Sequence, residues 1–163
     1  MRESLTGTGW GVTVADENML LVRLGKDLYA IPIVAIEEVL PALPIEGVPQ
    51  CPDFVRGVIF VRGHLIPVLS AAERLGWEPH QLPDESTIVC MRVGKRLVGV
   101  EFDEALDLID LATDEVLLSG EIGAREGFFT GVVERDGRLI RLLNPEKLTS
   151  EEETQKWIGT NQG

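Results

Sequence analysis

Short apolar runs alternate with polar turns along most of this chain. The runs at 58–61 and 65–69 are mostly β-branched, which suits strands buried on both faces. The same pattern predicts strands at 19–24, 28–33, 55–61, 65–69, 86–93, 96–102, 105–109, 128–134 and 138–143. Many short strands separated by glycine-containing turns are typical of a β-barrel or β-sandwich. The predicted fold class is therefore all-β.

Helical signals are few and short. A run of good helix formers stopped by glycine predicts a helix at 71–75, and one helical turn is predicted at 34–39. A C-terminal helix is predicted at 145–157, with Asn144 as its N-cap and a proline in its first position. Helix is therefore expected to be a minor part of the fold.

Three segments are predicted to lie outside regular structure. The proline-rich segment 41–52 is incompatible with regular helix or a central strand, and predicts a long ordered loop. Residues 1–16 are expected to form a loose N-terminal arm. The segment 149–163 is expected to contain the end of the C-terminal helix and a fraying tail.

One turn brings a charged side chain to the end of two apolar strands. Arg62, Gly63 and His64 separate the runs 55–61 and 65–69, and Gly63 supplies the backbone freedom that a tight reversal needs. Arg62 is therefore predicted at a strand end, with its guanidinium at the rim of an apolar core. From the residues alone, Arg62 is either a surface arginine that closes a hairpin or a binding residue.

Several segments carry motifs of a known family. The stretch 57–68 reads G-V-I-F-V-R-G-H-L-I-P-V and is followed by a Leu-Gly pair at 75–76. The segments 28–33, 98–104 and 142–148 read L-Y-A-I-P-I, V-G-V-E-F-D-E and L-L-N-P-E-K-L. In order and spacing these motifs resemble the CheW-like domain of bacterial chemotaxis adaptors, from about residue 17 to 148.

The resemblance implies a specific fold and a set of binding residues. The expected architecture is two small five-stranded SH3-like barrels packed side by side, with short helices and a groove between the barrels. The expected domain spans 17–148. The positions that match the family's receptor- and kinase-facing surface are Ile36, Glu38, Gly57, Arg62 and Gly63.

The resemblance also implies a function. It indicates a non-enzymatic adaptor that couples methyl-accepting chemoreceptors to a CheA-type histidine kinase. The expected partners are the cytoplasmic tip of the receptors, bound in the groove, and the regulatory domain of the kinase, bound at a barrel end. Two alternatives come from other classes: a small-ligand-binding sensor barrel, which requires a closed pocket with convergent polar groups, and an enzyme with dispersed catalytic residues.

Three positions depart from the family pattern. Phe60 replaces the usual Asn, Ser70 replaces the usual Asp, and Leu40 stands where relatives have an arginine. These departures leave the expected fold unchanged. They suggest an adaptor of a dedicated chemosensory-like pathway, such as twitching motility or surface sensing.

Composition limits the possible partners and the compartment. The chain has 15 basic and 27 acidic residues, so its net charge of −12 repels nucleic acid and anionic lipid. No targeting segment and no apolar window of membrane-spanning length is recognisable, so direct membrane insertion is not expected. The expected location is the cytoplasm, with recruitment to receptor arrays at the inner face of the membrane.

The chain offers little for catalysis, metal binding or cofactor binding. His64 and His80 are its only histidines, and both fall in predicted turns without convergent partners. Its two cysteines, Cys51 and Cys90, are too few and too widely separated for a disulfide framework or a zinc site. We therefore expect no catalytic residue, no metal and no cofactor.

Overall fold

Eleven strands dominate the computed structural model, which describes residues 17–76, 86–112, 116–122, 127–149 and 153. In chain order the strands are β1 Glu17–Leu24, β2 Asp27–Pro32, β3 Ile36–Pro41, β4 Val55–Val61, β5 His64–Ser70, β6 Thr87–Val93, β7 Arg96–Phe102, β8 Glu104–Leu111, β9 Val116–Ile122, β10 Phe129–Arg135 and β11 Arg138–Leu143. Nine of them correspond to the nine predicted runs. The all-β class is therefore confirmed.

The strands form two sheets. The first sheet has six strands in the order β8-β1-β2-β11-β10-β9, and the second has five in the order β3-β6-β7-β5-β4. Neighbouring strands are antiparallel except for two parallel pairs, β2 with β11 and β5 with β7. The two sheets therefore have one parallel pairing each, and each parallel pair joins strands that are distant in sequence.

Each sheet encloses an apolar cluster of its own. All five strands of the second sheet contribute to one cluster, which contains Ile59, Ile66, Val68, Ile88 and Cys90. A separate cluster inside the first sheet contains Met19, Leu28, Ala30, Leu111, Val133, Ile140 and Leu142. The two outer strands of the second sheet, β3 and β4, share its cluster, and in the first sheet β8 shares a cluster with β10, four positions along the sheet. Each sheet therefore curves around its own apolar interior and wraps into a barrel. We call them the six-stranded and the five-stranded barrel.

A third cluster, the shared core, lies between the barrels. It contains residues of both sheets, including Leu20, Tyr29, Val89, Met91 and Phe102. Strand β1 contributes to two apolar interiors. Met19 points into its own barrel, whereas Leu20 and Val22 enter the shared core. Burial on both faces explains the near-continuous apolar runs. The expected side-by-side packing of two barrels is confirmed.

Strand β3 differs from the prediction for 34–39. The chain makes one 3₁₀ turn at Ile33–Ala35 and then pairs with β6, with Val39 opposite Val89. Strand pairing provides hydrogen-bond partners that are distant in sequence, and the β-branched residues of this segment fit that environment. Strand β9 was also missed. Both errors concern strands at sheet edges.

The predicted short helix is present and the loop prediction is largely confirmed. Helix α1 spans Ala71–Arg74, and the Ser70 hydroxyl accepts a hydrogen bond from the Glu73 N–H at 3.1 Å. In the segment 41–52 one bridge joins Glu46 to Val58 of β4. That bridge attaches the loop to an edge of the five-stranded barrel.

The predicted C-terminal helix begins differently. Pro145–Lys147 forms a single 3₁₀ turn, and the Asn144 side chain makes no capping hydrogen bond. Most of the remaining predicted helix falls outside the described residues, as do the N-terminal arm 1–16 and the segment 154–163. Those expectations stay predictions.

Candidate functional site

The turn between β4 and β5 has a backbone conformation that is unusual for arginine. Val61 pairs with His64, so Arg62 and Gly63 alone form the turn, with φ of 48° and 81°. Positive φ at both central residues is the pattern of a type I′ hairpin turn, which favours Asn-Gly or Gly-Gly. The left-handed conformation costs a non-glycine residue about 1 kcal/mol. Arginine is therefore not the residue that would best stabilise this turn.

The Arg62 side chain connects two edge strands. Its guanidinium forms an ion pair with the carboxylate of Glu38 on β3. Since β3 and β4 are the two outer strands of the five-stranded sheet, this ion pair spans the position where the barrel closes. The Arg62 side chain is nevertheless 67% exposed, so the pair contributes little to stability. The resulting arrangement holds a charged surface at one end of the barrel.

An open cleft of about 490 Å³ lies beside this ion pair. Its apolar walls are Val61, Ile66 and Leu97, which are continuous with the interior of the five-stranded barrel. Its rim consists of the charged residues Glu37, Glu38 and Arg62 together with His64. A second ion pair, between Glu37 and Arg92 of β6, extends the rim. An apolar recess with a charged rim is a common design of a protein-binding surface.

The other predicted site residues do not all reach this surface. Gly63 is exposed in the turn itself, and Ile36 is half-buried at the start of β3, where it packs against the shared core. Gly57 is buried. A Cβ atom at Gly57, where φ is 146°, would overlap the carbonyl oxygen of Glu46. This backbone requirement explains why a glycine occupies position 57, and its placement on the partner-facing surface stays a prediction.

Two exposed leucines form a second candidate surface on β8. Leu108 is 63% exposed and Leu106 is 40% exposed. Leu108 lies opposite Leu20 of β1, and cross-strand partners point to the same face of a sheet. Because Leu20 belongs to the shared core, Leu108 lies at the margin of that core. Leu108 therefore lies beside the junction between the barrels, the position expected for the groove, and Leu106 lies two residues before it on the same strand.

One acidic residue directly before β8 does not face solvent. The alternation of acidic and apolar residues at 103–109 predicts that Asp103, Glu104 and Asp107 form a solvated strand face. Asp103 is instead buried, and its carboxylate accepts a hydrogen bond from the Gly25 N–H at 2.7 Å. A register irregularity between β1 and β8 shifts the pattern. Alternation alone did not indicate that the leucines would be exposed.

A buried carboxylate lies at the opposite end of β7 from the cleft. The Glu101 side chain is 5% exposed, and its Oε1 atom lies 3.4 Å from Nη1 of Arg56. Its Oε2 atom accepts a hydrogen bond from the Ser86 hydroxyl at 3.3 Å. Burial raises the pKa of Glu101, nearby Asp103 raises it further, and Arg56 and Ser86 oppose both effects. Oε1 has no hydrogen bond from any described residue, so this carboxylate is incompletely satisfied.

The described residues offer few groups for metal binding or thiol chemistry. No group of three or more His, Cys, Asp or Glu residues there is arranged to hold a metal ion. Both cysteines are free thiols, and burial raises the pKa of Cys90, which disfavours its reactive thiolate. His64 is exposed, whereas His80 lies outside the described residues. Within the same ranges, no helix is both long and apolar enough to cross a bilayer.

Comparison with known proteins identifies a family and a fold. The family model of the CheW-like domain matches residues 18–153. The chain is 27% identical to the probable chemotaxis protein CheW of Rhizobium etli, covering 86% of this chain and 92% of the relative. It is 31% identical to the chemotaxis protein CheW of Thermotoga maritima, covering 82% and 87%.

A solved structure has the same fold. The scaffolding protein TtCheW from Thermoanaerobacter tengcongensis aligns with a TM-score of 0.75 and 21% identity. The alignment covers 82% of this chain and 92% of that protein. At 21% identity the structural likeness establishes the fold alone, and the match to the family model establishes the family.

Proposed function

The chain belongs to the family of CheW-like domains, and from this membership we propose which of its surfaces meets which partner. It is an adaptor of chemotaxis signalling that couples receptors to a CheA-type histidine kinase. Members of this family are scaffold or adaptor proteins rather than enzymes. The interior of the five-stranded barrel is filled by apolar side chains.

The end of the five-stranded barrel is our candidate for the kinase-binding surface. The cleft offers apolar walls, and the Glu38–Arg62 ion pair at its rim places donors and acceptors at fixed positions. Arg62 occupies a turn position that favours Asn or Gly. A function of its side chain accounts for arginine at this position. The partner proposed here is the CheW-like regulatory domain of the kinase.

The junction between the barrels is our candidate for the receptor-binding surface. Leu106 and Leu108 expose apolar area on β8 beside the shared core, and Ile36 lies at the margin of the same core. An amphipathic helix buries its apolar face in such a groove. The partner proposed here is a helix from the cytoplasmic tip of a methyl-accepting receptor.

The shared core is the observation that carries this mechanism. It packs strands of one barrel directly against strands of the other, with Leu20, Val89 and Met91 all buried in it. Densely packed interiors transmit displacement because they have little free volume. A receptor that moves the six-stranded barrel would therefore move the kinase-binding end with it. This coupling requires no chemical reaction in the adaptor.

The proposed location is the cytoplasm, at receptor arrays on the inner face of the membrane. Recruitment would occur through the receptor tips and not through lipid. The net charge of −12 disfavours binding to anionic lipid. Depleting receptors should therefore release the protein from the membrane fraction.

Two binding titrations test the proposal. The protein is titrated with the regulatory domain of its CheA-type kinase and, separately, with a receptor-tip fragment. Leu108→Asp should weaken receptor binding at least tenfold and leave kinase binding unchanged. Leu139→Asp is the matched control, because Leu139 is 51% exposed on β11, which is separated from β8 by two strands. Failure of the wild-type protein to bind either partner at high micromolar concentration would refute the proposal.

A further inference from the structure

The segment 54–72 is free of acidic residues in a strongly acidic chain. No Asp or Glu occurs there, although the chain has 27 acidic residues among 163. The exposed charged or titratable side chains of this segment are Arg56, Arg62 and His64. The hairpin formed by β4 and β5 therefore contributes basic side chains and no acidic one, and the carboxylates that pair with its arginines come from β3 and β7. Such a surface is complementary to an acidic partner.

Phe60 is the exposed aromatic residue of this hairpin. Its side chain is 72% exposed, on β4, the outer strand of the five-stranded sheet. Large apolar side chains on an outer strand are an association hazard that proteins normally suppress. Arg62 follows two residues later, at the turn. An exposed phenylalanine beside a basic turn has the composition of an interface anchor.

The backbone of Phe60 faces an open strand edge. Val58 exchanges two hydrogen bonds with Glu46, of 2.8 and 2.9 Å, on the side of β4 that faces away from β5. Alternate residues of an antiparallel strand direct their N–H and C=O groups to the same side. Phe60 therefore presents its N–H and C=O to that outer side. Among the described residues, the pairing with Glu46 does not continue to Phe60.

We propose that the β4 edge at Phe60 binds an acidic edge strand of the kinase's CheW-like regulatory domain, with Phe60 as its apolar anchor. This inference rests on the proposed function and specifies how that partner is held. The partner strand would bond to the Phe60 backbone and place carboxylates near Arg56 and Arg62.

Charge and geometry select this occupant over two others. A receptor helix has no free backbone groups to pair with a strand edge. A second copy of this chain, paired through the same edge, would bring the arginines of two hairpins together. An acidic strand has free backbone groups, and its charge is opposite to that of the arginines. Among the described residues, Arg56 has one carboxylate partner, Glu101, and Arg62 has one, Glu38. Each guanidinium has five N–H donors, so further acceptors can be bound.

Charge variants at Phe60 provide the test. Phe60→Lys and Phe60→Asp both remove the ring from an exposed position, so both should keep the wild-type melting temperature. Titration with the kinase regulatory domain should show at least tenfold weaker binding for Phe60→Asp than for Phe60→Lys at low salt, with the difference shrinking as salt rises. Phe60→Asn should bind at least tenfold more weakly than wild type. Val34→Asn is the control, since Val34 is 82% exposed in the 3₁₀ turn.

Amide hydrogen exchange tests the strand pairing separately. The Phe60 N–H should exchange at least tenfold more slowly when the regulatory domain is saturating. Unchanged exchange at saturation, or Phe60→Asn affinity within twofold of wild type, overturns the inference while leaving the adaptor function intact. If Phe60→Asn loses receptor binding but keeps kinase binding, the inference is overturned as well. If the wild-type protein does not bind the kinase, the proposed function and this inference both fail.

Discussion

The guanidinium of Arg62 and the carboxylate of Glu38 form an ion pair across the seam between β4 and β3. The two residues are 24 positions apart in sequence and lie on the two outer strands of the same sheet. The pair therefore connects the hairpin turn to the strand that begins at the shared core. This connection links the cleft at the barrel end to the junction between the barrels.

Arg62→Asn separates a binding role from a structural one. Asn-Gly is the preferred sequence of a type I′ turn, so the improved turn should offset the loss of an exposed ion pair. We expect the free energy of unfolding to stay within about 0.5 kcal/mol of wild type. Kinase affinity should fall by more than about 1 kcal/mol, because truncation of an interface arginine leaves partner groups unpaired. Thermal unfolding and calorimetric titration measure the two effects.

Glu38→Gln is the companion variant. It removes the charge that orients Arg62 and keeps the side-chain size, so it should weaken kinase binding less than Arg62→Asn does. If Arg62→Asn unfolds several degrees lower and binds both partners normally, Arg62 is a structural residue of the hairpin. In that case the binding surface lies elsewhere.

Gly57→Ala should destabilise the fold severely. A Cβ atom there would collide with the backbone of Glu46, and φ of 146° is a conformation that alanine rarely adopts. We expect a loss of about 3 kcal/mol or more, or failure to fold. Gly47→Ala is the matched control, because nothing lies within 4 Å of a Cβ at Gly47. Urea unfolding of the two variants measures the difference, and equal stabilities would contradict the structural role of Gly57.

Ile36→Asp should lower stability as well as receptor affinity. Ile36 packs against the shared core, so the substitution places a charge on apolar neighbours. We expect a loss of about 2 kcal/mol or more, which corresponds to roughly 4–8 °C in melting temperature. Ile36→Val, which removes one methylene group, should cost about 1 kcal/mol. An Ile36→Asp protein with wild-type melting temperature and lost receptor binding would show that Ile36 is a surface contact.

Glu101 should make the free energy of unfolding depend on pH between the pKa of its carboxyl group in the unfolded chain and its pKa in the folded protein. Burial raises the pKa of its carboxyl in the folded state above the value in the unfolded chain. Between these two pKa values the folded state binds more protons, so this contribution to stability is present at low pH and is lost as pH rises through the folded pKa.

Glu101→Gln should remove that dependence. The amide keeps the size of the carboxyl group and carries no charge at any pH in the window. Unfolding free energies measured across mildly acidic and neutral pH should therefore show a smaller pH dependence in the variant. An identical pH dependence in both proteins would mean that Glu101 is fully compensated by Arg56. The side-chain hydroxyl of Ser86 provides a second check, because Ser86→Ala should raise the Glu101 pKa further.

Local sequence was sufficient for most strands and for the central turn. The runs 55–61 and 65–69 and the glycine at 63 specify a hairpin through propensity and turn chemistry, which act between near neighbours. The position of Arg62 at the rim of an apolar core followed directly. The family motifs further identified the two-barrel architecture, which local patterns alone left open between barrel and sandwich.

Tertiary structure decided which residues meet and which are hidden. Pairing with β6 made a strand of 36–41, and the close approach of Glu46 buried Gly57. Both partners are separated in sequence from the segment that they contact. Strand pairing also depends on register, and hydrophobic alternation indicates only which of two faces a side chain occupies. The cleft beside Arg62 and the exposure of Phe60 depend on how the sheet closes. Sequence determined the strands and the turn because their energies are local, whereas the binding surfaces arose only from contacts between distant segments.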